Sequence, residues 1–169
     1  MILNSKLKSL LKSVGFITLY LFFGAILSQL KTYFPPQCER YAQGILGTIG
    51  VILTVIVFLK FEKKKPKDYG LNWEKLSFSR FGIGISLGIV LATAMMFSQI
   101  WYSNLELSLN EDVSLFPFLF WSLAFIPLAF MEEVAFRSYP LLALNKAFGF
   151  RITQLILAIL FAVYHMLMM

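Results

Sequence analysis

Phe130-Met131-Glu132-Glu133-Val134-Ala135-Phe136-Arg137 sets two carboxylates and a guanidinium at the end of a run that otherwise has no charge. No charged residue occurs from Val113 to Met131, and the next after Arg137 is Lys146. A run of this length reads as a membrane-spanning helix, because about 20 apolar residues are needed to cross the hydrocarbon core. An ionisable group within such a helix costs roughly 2.5–3.5 kcal/mol on insertion scales. Three of them in six residues therefore require partners or a use.

Moving outward, the rest of the chain has the same character. It is 59% hydrophobic and 14% charged, and 18 of its 169 residues are Phe. The charged share is about half that of a soluble domain, so the bilayer is the solvent that fits this composition. Five apolar segments read as spans: 14–30, 42–59, 81–101, 113–136, which runs into the Glu pair, and 152–169. Their apolar runs are continuous rather than alternating, which excludes a barrel, and an open sheet edge cannot stand in lipid. The expected fold is all-α: a polytopic transmembrane helical bundle of about five membrane helices in a single membrane domain, 1–169. The first run is longer than a signal-peptide core and no small-x-small cleavage site precedes Lys31, so it reads as a retained span. Pro117 and Pro127 are expected to kink the fourth span, and Gly84-x-x-x-Gly88 is expected to allow close packing of the third.

The net charge of +6 follows the loops. Lys6, Lys8 and Lys12 precede the first span, and seven basic residues lie between Lys60 and Arg80. The segment from Tyr102 to Asp112 has none and carries Glu106, Glu111 and Asp112. Basic-rich and basic-poor connections alternate, which predicts a cytoplasmic N-terminus. The Lys60–Lys67 run reads as a topology determinant that also touches anionic membrane lipids. No nucleic-acid-binding motif is present, so no nucleic-acid partner is expected. The single cysteine, Cys38, excludes an intrachain disulfide.

On a helix, Glu133 and Arg137 are i and i+4 and can pair, while Glu132 points about 100° away. One reading is a structural ion pair with Glu132 near the boundary. The sole histidine supplies another. The midpoint between Glu132 and His165 falls between Phe148 and Gly149, so an antiparallel hairpin turning there brings the two to similar height. Packed helices are about 8–10 Å apart, close enough for a carboxylate and an imidazole to share a water as a general base. Zinc catalysis usually takes three protein ligands. Glu132, His165 and Glu133 are the only candidates here, so a divalent metal such as zinc stays open as a cofactor.

At these residues the chain resembles the CAAX protease and bacteriocin-processing (CPBP, or Abi) family of intramembrane endopeptidases. The first family motif, Glu-Glu-x-x-x-Arg, matches Glu132-Glu133-Val134-Ala135-Phe136-Arg137, with Ser138 where Gly is commoner. The second, Phe-x-x-x-His, matches Phe161 to His165. Tyr69-Gly70-Leu71, read as an amphipathic re-entry before a Gly-rich span, is also similar. The resemblance implies that Glu132 and His165 activate a water for attack on a peptide bond of a membrane-associated peptide or protein, with Glu133 and Arg137 ordering the site. It also implies a bacterial cytoplasmic membrane as the location.

The family's third motif, His-x-x-x-Asn or His-x-x-x-Asp, has no counterpart up to Met169, so the chain reads as a truncated form whose activity is open. Two other readings stand beside the protease. One is a non-catalytic relative in bacteriocin self-immunity or partner binding. The other is a small transporter using Glu132 as an ion site. Substrate and oligomeric state are not legible. Pro140 bears on a remaining problem of depth. Glu132 would lie about 21 Å from Lys146 along an unbroken helix, and a break at Pro140 would make it shallower.

Overall fold

The computed structural model describes residues 2–103 and 114–168. Val113, Met169 and the acidic residues Glu106, Glu111 and Asp112 lie outside the described residues. All regular structure among those described is helical, in agreement with the all-α expectation: α1 (Ile2–Ser28), α2 (Glu39–Glu62), α3 (Ser77–Ser103), α4 (Leu115–Arg137), α5 (Tyr139–Phe148) and α6 (Phe150–Met168), with short 3₁₀ turns in the α1–α2 and α2–α3 connections. Four helical segments are long and apolar enough to cross a membrane, Ser5–Tyr33, Pro36–Glu62, Ser77–Ser103 and Leu115–Phe148. This is a membrane protein. The fifth expected span is a shorter apolar helix, Phe150–Met166, which packs beside α5.

The chain divides into two units. One is Asn72–Leu115, which holds α3; the other is made of Met1–Leu71 and Phe116–Met169. Within the first, Arg80 forms an ion pair with Glu74 at 3.6 Å, and the Ser77 hydroxyl accepts from the Glu74 backbone N–H at 2.9 Å, which fixes the entry to α3.

The second unit holds the core. Every third or fourth residue of α1, namely Ser13, Phe16, Ile17 and Tyr20, is buried, and the matching stripe on α2 is Val51, Thr54 and Val55. Lipid tails are as apolar as these side chains, so burial alone does not drive helices together in a bilayer; close packing and small residues do. Three glycines of α2 supply that. A Cβ on Gly50 would lie 3.6 Å from the Gly24 backbone nitrogen of α1, and one on Gly44 would lie 2.9 Å from Pro127 Cγ and 3.0 Å from the Leu128 nitrogen of α4. A Cβ on Gly47 would run into the Met131 sulfur. On the α4 side, the Tyr41 hydroxyl donates to the Phe120 carbonyl and Thr48 Oγ1 to that of Pro127 at 3.2 Å.

The prolines act differently from one another. Pro117 is in the first turn of α4, where its missing N–H has no intrahelical acceptor in any case. Pro127 is interior, and its ring is what Gly44 accommodates.

The expected break after the Glu pair is present. Ser138, at φ −90° and ψ −108°, ends α4, and Pro140 falls in the first turn of α5, where proline is favoured. The Ser138 hydroxyl donates to the Val134 carbonyl, one of the carbonyls the broken helix leaves without a partner. Gly149, at φ +78°, then turns the chain in a single residue, and its carbonyl accepts the Thr153 N–H at 3.1 Å. The hairpin turn thus lies at the position the sequence spacing predicts.

Gly44→Val should lower the thermal stability of the detergent-solubilised protein by about 1–3 kcal/mol, the usual range for overpacking. Gly24→Ala, whose Cβ meets nothing within 4 Å, should not lower it. Equal melting of wild type and Gly44→Val would contradict this packing.

Candidate functional site

The candidate site residues Glu132, Glu133, Arg137 and His165 all lie in the larger unit. Glu132, Glu133 and Arg137 are on the last turns of α4, and His165 is near the end of the described part of α6. Val134, Ala135 and Phe136, on the same turns, are buried, so the backbone carrying the two carboxylates is held by the core on its opposite face.

The structure brings Glu132 and His165 together. His165 Nε2 lies 3.7 Å from Glu132 Oε1. The register is kept by neighbouring rings: Phe136 packs edge-on to Phe161 at 5.2 Å, and Tyr164 lies 5.4 Å from Phe136. Glu132–His165 and Phe136–Phe161 share one midpoint, the turn before Gly149, as an antiparallel pair requires.

His165 Nδ1 lies 3.0 Å from the Phe161 carbonyl. That oxygen can only accept, so Nδ1 is the donor and Nε2 is the nitrogen that faces the carboxylate. A bare lone pair on Nε2 would repel the Glu132 oxygen. The geometry is satisfied when the pair carries one proton, or when a water donates one hydrogen to each partner. At 3.7 Å the contact is longer than a direct hydrogen bond, which leaves a water as the natural link.

Glu133 has another partner. Arg137 reaches it with distances of 2.9 Å and 3.2 Å to its two oxygens, the i,i+4 pair that the spacing predicts. Both side chains are more than half exposed, so in water such a pair would be worth only about 0.3–0.5 kcal/mol. Its effect is to hold Glu133 and Arg137 beside Glu132 rather than to stabilise the fold.

A pocket of about 250 Å³ opens between α4 and α6, with Glu132, Glu133, Arg137 and Gln154 as its polar groups and Phe136 and Phe161 among its apolar ones. His165 meets Glu132 without lining this pocket. Gln154 was not read from the sequence. The signal was there, since Gln154, Ala158, Phe161 and His165 follow the i, i+4, i+7, i+11 spacing of one helix face.

The donor set does not fit a zinc site. Glu133 is committed to Arg137, which leaves one carboxylate and one imidazole, and no group of three His, Cys, Asp or Glu side chains converges among the described residues. A catalytic zinc takes three protein ligands.

A second polar cluster escaped the sequence reading. The Glu62 side chain, only 5% exposed at the end of α2, accepts from Lys12 of α1 and from Lys64 at 2.9 Å. It also accepts from the hydroxyls of Tyr139 at 2.9 Å and Tyr69 at 3.4 Å. Lys64 is turned back by Lys63, which takes a left-handed conformation at φ +53°. Tyr69, expected to begin a re-entry, is a core residue whose ring is tilted against that of Tyr139 at 4.7 Å; burial pushes its phenol pKa up, and the Glu62 carboxylate adds to this.

The cluster also gives the level of Glu132 relative to the end of α2. Tyr139 reaches Glu62, so the start of α5 is level with the end of α2, and Glu132 lies seven residues, about 10 Å, before it.

No protein-family model matches the chain, and comparisons with curated proteins and with solved structures find no match.

The two clusters should differ in stability effect. Glu62→Ala should lower stability by about 2 kcal/mol, the scale of hydrogen bonds to a charged group. Lys12 and Lys64 are each more than a third exposed and can turn to water, which keeps the figure below that of a fully buried pair. Glu133→Ala should change stability by less than about 0.5 kcal/mol. Chemical denaturation in one detergent would compare them, and a larger loss for Glu133→Ala would contradict the assignment.

Proposed function

We propose that the chain carries the water-activating site of a CPBP-type intramembrane endopeptidase. The observation that carries this reading is the approach of His165 Nε2 to Glu132 beside a pocket bordered by the Glu133–Arg137 pair. Glu132, paired with His165, is the base that takes one proton from a water held between them as the water oxygen bonds to the carbonyl carbon. That proton, held by the pair, then passes to the amide nitrogen as the C–N bond breaks and the amine leaves. The substrate is a peptide segment of a membrane-associated protein, and Arg137 and Gln154 offer donors for its backbone carbonyls. No step passes through a metal.

The orientation that goes with this reading has the Lys-rich end of α1 and α2 in the cytoplasm, in a bacterial cytoplasmic membrane. Its support is that Lys8, Lys12, Lys60, Lys63, Lys64 and Lys146 all belong to the end at which Glu62 ties α1, α2 and α5 together. Glu132 is then about 10 Å below the level of Glu62, within reach of water from the cytoplasmic side.

A specific observation favours a second reading. Among the described residues, no third His, Cys, Asp or Glu side chain joins Glu132 and His165. A non-catalytic CPBP- or Abi-like membrane protein would use the same pocket to bind a peptide or partner protein, as in bacteriocin self-immunity.

The two readings separate in a peptidase assay on the protein reconstituted in lipid nanodiscs, with quenched fluorogenic prenylated and signal-like peptides. The protease reading predicts cleavage by wild type and a loss of at least about 100-fold in Glu132→Gln and His165→Ala, the scale of a missing general base. Glu133→Gln should lose less. Peptide binding without cleavage, unchanged in Glu132→Gln, would support the binding protein instead.

A further inference from the structure

We propose that the groove between α1 and the end of α2 is a binding site for one anionic phospholipid. Its apolar wall is Leu7 and Leu11 of α1 and Phe58 and Phe61 of α2, and it encloses about 400 Å³. Gly15 makes the room: a Cβ there would meet only Phe58 Cζ, at 3.9 Å, so a larger side chain would occupy the groove itself. Phe61, 80% exposed, and Leu11, 62% exposed, offer the apolar surface that an acyl chain covers.

The mouth of the groove decides which lipid. Lys8 and Lys12 line it together with Glu62. Glu62 is already shared between Lys12 and Lys64, and Lys8 adds a further ammonium at the mouth, so the local excess is positive. Lys8 is exposed and is on the same face of α1 as Lys12, one turn away. A phosphate placed at Lys8 and Lys12, with its acyl chain along Leu11 and Phe58, satisfies both the charge and the apolar wall. A zwitterionic headgroup would bring its own ammonium against the lysines. An anionic headgroup such as phosphatidylglycerol does not.

This site is separate from Glu132 and His165, and it does not depend on any catalytic role for them. Its effect on the fold is direct: a lipid seated there bridges α1 and α2 next to the Glu62 cluster.

Native mass spectrometry of the full chain, released from detergent with phosphatidylglycerol or phosphatidylcholine added, tests the proposal. Wild type should retain phosphatidylglycerol in preference to phosphatidylcholine. Lys8→Gln should weaken that retention about fivefold, the worth of one lysine beside an anionic lipid. Gly15→Leu, which fills the groove and leaves the lysines in place, should weaken retention of both lipids. Replacing Lys63, Lys65 and Lys67 together by Gln should leave the preference unchanged. Equal retention of the two lipids by wild type, an unaltered Lys8→Gln, or loss of the preference in the triple variant would overturn the groove as the site.

Discussion

The register of α4 against α6 is the constraint on which the site depends. A carboxylate at Glu132 stands among apolar helices, and its nearest imidazole is 33 positions later in the chain. Two local features bring them level. The broken peptide path at Ser138 lets α5 continue past the end of α2, and Gly149, in a conformation that L side chains rarely adopt, reverses the chain in one residue. Phe136 against Phe161 then fixes the height at which α6 passes α4. A slip of one residue on either helix would turn His165 about 100° away from Glu132.

The register in turn rests on the Glu62 cluster. Glu62 holds Lys12 of α1, Lys64 of the following turn and Tyr139 of α5 at once, so the three elements that flank the α5–α6 hairpin meet at one carboxylate. On the far side, Gly44 and Gly47 let α4 lie close against α2. One contact is polar and near the helix ends; the other is steric and deep. Between them they leave α4 little freedom to slide. A site on the last turns of α4 is therefore held by packing well outside its own shell.

Much of this was legible in the chain. Composition and uninterrupted apolar runs carried the helical membrane fold, because lipid allows few alternatives. The i,i+4 spacing carried Glu133–Arg137, and the equal arms about Phe148 and Gly149 carried Glu132–His165. The fifth expected span falls on α6, an apolar helix shorter than the other four that packs beside α5. Glu62 was hidden because its four partners come from three separated segments, and nothing local marks a lone Glu among lysines as buried. The close-packing glycines were likewise looked for in the Gly84-x-x-x-Gly88 pattern. Gly44, Gly47 and Gly50 of α2 have three-residue spacing and take their meaning from the partner helices.

Since the chain has a single histidine, nitrogen-15 NMR of the histidine-labelled protein in nanodiscs reads the central pair without assignment ambiguity. The account predicts two distinct imidazole nitrogens, Nδ1 bonded to a carbonyl and Nε2 facing Glu132. It predicts that Glu132→Gln shifts the Nε2 signal while Glu133→Gln leaves it in place. A His165 spectrum identical in wild type and Glu132→Gln would contradict the pairing on which the proposed chemistry rests.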